Sequence, residues 1–153
     1  MSAGATPVPS AAPRPPVHSA PRVPPFPIYQ LSVEKSHTVD SQPEPDIAVV
    51  AGDQRAFAVR HPGPDDIGLL VEVAESSLDT DRFEKARIYA RAAIPVYWII
   101  NLVDRQVEVY SDPDQRSSPP AYRRRETYLP GQAIPLVLKG QAIAQIPVQD
   151  LLP

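Results

Sequence analysis

The chain has 153 residues, of which 42% are hydrophobic and 22% are charged, and its formal net charge is −3. This length and apolar content are sufficient for one folded domain with its own core. The small negative charge exerts no overall attraction on a polyanion and argues against a protein that coats nucleic acid. The negative charge does not exclude a protein that contacts phosphate through a bound cation. The carboxylates that bind such a cation count as negative charge as long as the ion is absent.

Cysteine and long apolar segments are both absent from the sequence. Without cysteine the chain has no disulfides and no thiolate metal ligands, and this composition suits the reducing cytoplasm. The three histidines show no ligand spacing with one another, so a zinc site is not expected. The apolar runs at 67–74 and 94–100 are far shorter than the roughly 20 residues of a membrane helix. We therefore predict a cytoplasmic protein with no membrane partner.

Proline is concentrated at the start of the chain, where nine of the 21 prolines fall within residues 1–27. This segment has neither helical nor strand periodicity, so its backbone is expected to sample extended conformers without a packed core. We predict a proline-rich disordered tail at 1–27 and one folded domain at 28–153. A ligand for an SH3-like partner is the alternative interpretation of the tail.

The strands are predicted from alternating or continuous apolar residues bounded by turn residues. Three precede a single helix, at 29–33, 46–50 and 67–74. Five follow it, at 96–101, 106–110, 122–128, 134–138 and 142–146, and the first two of these form a β-hairpin. This order predicts an α/β (α+β) fold, in which a helix packs across a mixed β-sheet.

The helix is predicted at 79–93 and ends before Pro95. Its apolar positions share one face and are Phe83, Ala86, Ala90 and Ala93. Asp81 and Glu84 are expected to cap its free N–H groups, and Lys85 is expected to project from a flank.

Glu72 is the single charged residue inside the apolar strand 67–74. A carboxylate in that position is costly unless it is paired, hydrogen-bonded or bound to a metal. Asp46, at the start of strand 46–50, could converge with it on one hard cation such as Mg²⁺, which activates water and stabilises charge on a phosphodiester under attack. The alternative is a structural ion pair of Glu72 with Lys85 or an arginine, with Pro45 and Asp46 forming only a turn. Spacing by itself leaves both interpretations open.

A longer pattern consists of five stretches in fixed order: Pro45–Val50, Leu70–Ser77, Asp81–Lys85, Tyr89–Arg91 and Ile94–Asn101. Together these stretches resemble the Uma2 family (DUF820) of the PD-(D/E)xK nuclease superfamily. The densest part joins an acidic strand, a serine-containing turn, an Asp-Arg…Lys helix and a Tyr-Trp strand. The similarity extends from about Ser41 to the C-terminus.

The resemblance implies a restriction-endonuclease-like core and a Mg²⁺-dependent endonuclease that acts on DNA, with Mn²⁺ as a substitute ion. It leaves open whether the protein forms a homodimer. Asp46 and Glu72 stand in the places of the family's metal-binding acids, and the carbonyl of Val73 is the expected further ligand. The superfamily lysine two positions after the second acid is replaced by Ala74. Lys85 on the following helix is its expected substitute, where it would orient the attacking water or stabilise the developing charge.

The sequence departs from the family before the Pro-Asp motif. Members begin with a longer folded segment that contains a helix, a hairpin and a supporting glutamate. Only Glu34 and Glu44 precede Asp46 here, in contexts that do not match. A truncated copy, a misassigned start codon and completion by a partner are the three explanations considered.

Three other sets of residues have weaker evidence for a role in function. The sequence Arg123-Arg124-Arg125 is the best basic patch for phosphate contact, although three arginines on a strand are often only a solvated edge. Ser76 and Ser77 are expected to bond to the helix start or to Glu72 rather than to a substrate. Tyr97 and Trp98 are expected to be core residues rather than platforms for base stacking.

Three functional hypotheses follow from the sequence. The first is a metal-dependent endonuclease, with Asp46, Glu72 and Lys85 as its catalytic residues. The second is a catalytically inactive protein that retains the nuclease fold as a binding module. The third is a scaffold that acts through the proline-rich segment at 1–27.

Overall fold

The computed structural model describes residues 28–29, 44–50 and 62–153. The predicted tail at 1–27 and all but the first residue of the predicted strand 29–33 lie outside these ranges. The strands predicted from residue 46 onward are present, with bounds that differ by a few residues.

The main sheet is six-stranded and mixed, with its strands in chain order from one edge to the other. Their bounds are β1 (Ile28–Tyr29), β2 (Ile47–Val50), β3 (Ile67–Ala74), β4 (Val96–Asn101), β5 (Gln106–Asp114) and β6 (Ala121–Tyr128). Strands β3 and β4 are parallel because the helix between them returns the chain to the same end of the sheet, and every other neighbouring pair is antiparallel. The predicted hairpin at 96–110 is confirmed as β4 and β5.

A separate two-stranded sheet follows, made of β7 (Ala133–Leu138) and β8 (Gln141–Pro147). Its two-residue connection contains Lys139 and Gly140, both with positive φ, as a tight hairpin turn requires. Short 3₁₀ turns lie at Pro64–Asp66, directly before β3, and at Val148–Asp150, directly after β8.

Helix α1 consists of a π-helical stretch, Thr80–Lys85, that continues as an α-helix, Ala86–Arg91. The helix predicted at 79–93 is therefore confirmed, but its predicted apolar face is wrong at two positions. Phe83 is 58% exposed, and Ala93 is exposed beyond the helix end with a φ of 56°. The wider π turn changes which side chains face the sheet, so that Asp81 is buried instead of Phe83.

The two faces of the main sheet are covered by different elements. Strand alternation gives β3 and β4 apolar side chains on both faces, as predicted for a strand buried on both sides. One face packs against α1 through residues that include Leu70, Ala90 and Tyr97. The opposite face packs against the β7–β8 hairpin through residues that include Trp98, Ile134 and Leu138. The predicted α/β (α+β) architecture is confirmed, and Tyr97 and Trp98 are core residues as expected.

Candidate active site

Asp46 directly precedes β2, and Glu72 lies on the adjacent antiparallel strand β3. Ile47 of β2 is paired with Val71 of β3, which places the residue before Ile47 beside the residues after Val71. The Asp46 carboxylate accepts a hydrogen bond from the backbone N–H of Val73 at 2.7 Å. Asp46 itself is exposed to solvent. The predicted proximity of the two acids therefore follows from strand register and is fixed by a backbone contact.

Glu72 is buried on the helix-covered face, with 2% of its surface exposed. Its Oε1 accepts the hydroxyl hydrogen of Tyr89 at 2.7 Å, and its Oε2 lies 2.9 Å from the Lys85 ammonium nitrogen. Burial raises the pKa of Glu72, an effect that the bonds from Tyr89 and Lys85 reduce and the nearby charge of Asp46 increases. The charge inside the apolar strand thus has two partners from α1.

Lys85 does more than project from the flank of the helix as predicted, since it bridges two buried carboxylates. Its Nζ lies 2.9 Å from Glu72 and 2.9 Å from Asp81, and only 20% of its side chain is exposed. Burial by itself would lower the pKa of Lys85, but the bonds to Asp81 and Glu72 outweigh it and raise the pKa. The ammonium group therefore stays protonated at neutral pH.

Asp81 is the carboxylate that the sequence interpretation assigned wrongly. It was expected to cap the helix, but its side chain is fully buried, with Oδ1 facing Lys85 and Oδ2 accepting the Ser77 hydroxyl at 2.6 Å. Ser77 thus has the structural role expected for it. The spacing of Asp81 and Lys85, four residues apart on a helix, was the available signal.

Helix α1 approaches the sheet closely because Ala86 and Ala90 occupy its buried side. Tyr89, between them in sequence, reaches Glu72 with its hydroxyl and contacts the Tyr97 ring edge to face, at a centroid distance of 5.0 Å. Burial and the neighbouring Glu72 raise the pKa of Tyr89, which keeps its hydroxyl a donor. Small helix residues therefore bring Lys85 and Tyr89 to the acid on β3.

A further buried carboxylate, Glu108, lies on the same face of the sheet, in an arrangement we call the Glu108 cluster: Glu108, Arg82, Asn101, Tyr110 and Arg125. Glu108 is 0% exposed and receives hydrogen bonds from all four other members. Burial would raise the pKa of Glu108, but the bonds from Arg82, Asn101 and Tyr110 outweigh it and lower the pKa to about 2. The cluster connects α1 with β4, β5 and β6.

The sequence interpretation did not identify the Glu108 cluster. A signal was present in strand 106–110, because Glu108 alternates in phase with Tyr110 and therefore faces the same side of the sheet. What could not be read from the strand was the identity of its partners. Arg82 and Arg125 are 26 and 17 residues away from Glu108 and reach it only through tertiary packing.

The predicted metal ligands form an oxygen-only set, which suits a hard divalent cation. Across 28–29, 44–50 and 62–153, no three His, Asp or Glu side chains are grouped as they would be around a metal ion. The predicted set contains only two carboxylates, Asp46 and Glu72, with the carbonyl of Val73 as the third ligand. The Asp46 carboxylate lies 2.7 Å from the backbone nitrogen of Val73, the residue after Glu72. These oxygen donors are therefore of the type that suits such an ion.

The mixed sheet with a helix packed on one face has the α+β character of a restriction-endonuclease-like core. The family model of Uma2, described as "Putative restriction endonuclease", matches residues 25–146. The chain belongs to the Uma2 family. Enzymes with this fold generally use divalent metal ions. No curated protein matches the chain. In the part of the chain that the structure describes, no helix has the length and apolar character needed to cross a membrane.

Proposed function

We propose that the protein is a Mg²⁺-dependent endonuclease that hydrolyses phosphodiester bonds of DNA, with Mn²⁺ as an effective substitute. The observation that carries the proposal is the convergence of three groups from separate elements. Asp46 contacts the backbone of β3 beside Glu72, and Lys85 of α1 lies 2.9 Å from the Glu72 carboxylate. The absence of cysteine supports the cytoplasm as its place of action.

Asp46, Glu72 and the carbonyl of Val73 would hold the cation. When bound, a divalent ion supplies an activated water and stabilises negative charge on the phosphoryl oxygens. Asp46 is the exposed member of the set and is the first acid that an ion from solvent would meet. Glu72 is the buried member, and its carboxylate is oriented by the Tyr89 hydroxyl.

Lys85 is proposed as the cationic catalytic residue. Its raised pKa keeps a positive charge beside Glu72, where a charge can stabilise an anionic transition state or orient the attacking water. Asp81 is a positioning residue, because it is fully buried and holds the Lys85 ammonium group at 2.9 Å without contacting the proposed substrate. Ser77 orients Asp81 in turn through its hydroxyl.

The test is cleavage of supercoiled plasmid DNA by the purified protein with Mg²⁺ or Mn²⁺. We expect Asp46→Ala, Glu72→Gln and Lys85→Ala each to lower the nicking rate at least a hundredfold. Glu75→Ala is the matched control, because it removes an exposed carboxylate just beyond β3 and should leave the rate unchanged. Nicking that persists in both Asp46→Ala and Glu72→Gln would contradict the proposal.

The second candidate is a binding module that retains the nuclease fold without catalysis. The observation in its favour is that both oxygens of Glu72 already have partners, Tyr89 and Lys85, as they would in a structural ion pair. Calorimetric titration with Mn²⁺ separates the two candidates. Heat of binding that disappears in Asp46→Ala favours the enzyme, whereas DNA binding without any metal binding favours the module.

A further inference from the structure

The Glu108 cluster places a charged guanidinium group at the protein surface in a fixed orientation. Arg125 Nη2 donates to Glu108 Oε2 at 2.8 Å, and the guanidinium carbon lies 5.5 Å from the centroid of the Tyr110 ring. The Arg125 side chain is nevertheless 48% exposed. A guanidinium has five N–H donors in a rigid plane, so a single bond to Glu108 leaves donors for a second oxyanion.

The charges of the cluster are separated by depth. Glu108 is 0% exposed, while Arg82 and Arg125 are 21% and 48% exposed at their side chains. Arg82 is held by both Glu108 and Asp104, at 3.5 Å from the latter. Arg125 has Glu108 as its acidic partner and is the more accessible cation. A ligand that approaches this part of the sheet therefore meets a positive charge, with the balancing negative charge buried beneath it.

The exposed guanidinium lies on the same face of the sheet as the candidate active site. Tyr110 on β5 is paired directly with Arg125 on β6, and directly opposed residues share a face. From Glu72, contacts continue through Tyr89 to Tyr97 and from Tyr97 to Tyr110, with ring centroids 5.0 Å and 5.6 Å apart. Glu72 and Arg125 are therefore connected through a row of buried tyrosine rings on the face that α1 covers, with the Arg125 guanidinium at its exposed margin.

We propose that Arg125 is a DNA-binding residue, which contacts a backbone phosphate of the strand that occupies the candidate active site. The proposal rests on the proposed function for the identity of the ligand. Among Arg123, Arg124 and Arg125 the structure singles out one residue. Arg123 is paired with Asp114 at 2.9 Å, and Arg124, which is adjacent in the strand, points to the face opposite to Arg125.

The test is fluorescence anisotropy of a labelled DNA duplex titrated with the whole protein in EDTA, so that cleavage does not interfere. Arg125→Ala is compared with Arg124→Ala, which removes the same charge from the neighbouring position of the same strand. We expect Arg125→Ala to weaken binding about tenfold and to reduce the salt slope of log K by about one. Arg124→Ala should change affinity less than twofold. Arg125→Lys should give an intermediate loss, because it keeps the charge but not the planar donor set.

Three outcomes overturn the proposal: equal losses in Arg124→Ala and Arg125→Ala, unchanged affinity in Arg125→Ala, or no binding of DNA by the unmodified protein. Folding of Arg125→Ala is checked by thermal unfolding, and we expect it to persist because Glu108 keeps Arg82, Asn101 and Tyr110. The nicking assay decides the proposed function separately. Cleavage that depends on Glu72 together with unchanged binding by Arg125→Ala would refute this inference alone.

Discussion

Lys85 is held between Glu72 and Asp81, and each of the three charges depends on the other two. Both carboxylates lie 2.9 Å from the one ammonium group. Removing one member of a buried group of this kind leaves an uncompensated polar atom, which costs more than the pair interaction itself contributes. A substitution at Asp81 therefore tests how Lys85 is positioned, because it leaves the positive charge of Lys85 in place.

Asp81→Asn keeps the shape of Asp81 but removes its charge. We expect the nicking rate constant kcat to fall about tenfold with KM for DNA nearly unchanged, because Lys85 loses one of the two groups that position it. The control is Asp79→Asn, at an exposed position that makes no side-chain cap bond at the start of the same helix. A loss confined to KM would show that Asp81 acts in binding rather than in positioning Lys85.

Glu108→Gln tests the contribution of the buried Glu108 carboxylate to acid stability. The folded-state pKa of Glu108 is lowered to about 2 from its ordinary value of 4.5, so its stabilising contribution is present above pH 4.5 and is lost as the pH falls toward 2. At neutral pH this shift corresponds to roughly 3 kcal/mol of unfolding free energy. We expect Glu108→Gln to be less stable at pH 7 and to lose less stability between pH 4.5 and pH 2.

Urea unfolding at several pH values measures both effects. Glu84→Gln, at an exposed position of α1, is the control and should follow the unmodified protein throughout. The same pH dependence in Glu108→Gln and in the unmodified protein would show that another group is responsible for the acid transition.

At the scale of elements, α1 determines which groups reach Glu72. Its π-helical start turns Asp81 and Lys85 toward the sheet, and its α-helical continuation presents Ala86, Tyr89 and Ala90. Alanine at the contact positions lets the helix lie close to the sheet, within reach of the Tyr89 hydroxyl. The distance between helix and sheet is therefore a property on which the site depends.

Ala90→Leu tests this dependence, because Ala90 is 0% exposed and has no room for three more carbon atoms. We expect the free energy of unfolding to fall by about 1–3 kcal/mol through overpacking. We also expect nicking to fall at least tenfold under conditions in which the protein remains folded, since a displaced helix moves Lys85 away from Glu72. Arg87→Leu, at an exposed position of the same helix, is the control. Full activity in a folded Ala90→Leu protein would contradict this dependence.

At the scale of the whole molecule, the two faces of the main sheet have different tasks. The face under α1 carries Glu72, Lys85 and the Glu108 cluster. The opposite face is covered by the β7–β8 hairpin, and its buried core includes Trp98, Ile134 and Leu138. The candidate active site and the core under the β7–β8 hairpin thus lie on opposite sides of one sheet.

Ile134→Ala should reveal this division. Ile134 of β7 is 0% exposed, and its truncation leaves a cavity that is expected to lower the free energy of unfolding by about 2–5 kcal/mol. At a temperature where the variant is still folded, we expect its nicking rate to stay within twofold of the unmodified protein. Val137→Ala, at a partly exposed position of the same strand, is the control for stability. A large loss of activity in folded Ile134→Ala would show that the hairpin supports the site.

Much of the fold was predictable because its signals are local. Continuous apolar residues identified β3 and β4, and Pro95 marked the end of α1. Glu72 was identifiable as a site candidate because a charge inside such a strand requires a partner. The apolar face of α1 was not predictable, since a regular helical period does not anticipate the π turn that exposes Phe83 and buries Asp81.

The sequence by itself determined the succession of strands and helix along the chain, the β4–β5 hairpin and the presence of an acid at Glu72, since these depend on residues close together in the chain. Only the tertiary structure decided that Lys85 is shared between Glu72 and Asp81, and that Arg82 and Arg125 meet on Glu108. Such contacts join residues from different elements. Their geometry depends on the rotation of the helix and on the register of the strands. A shift of one residue in either turns a side chain to another face.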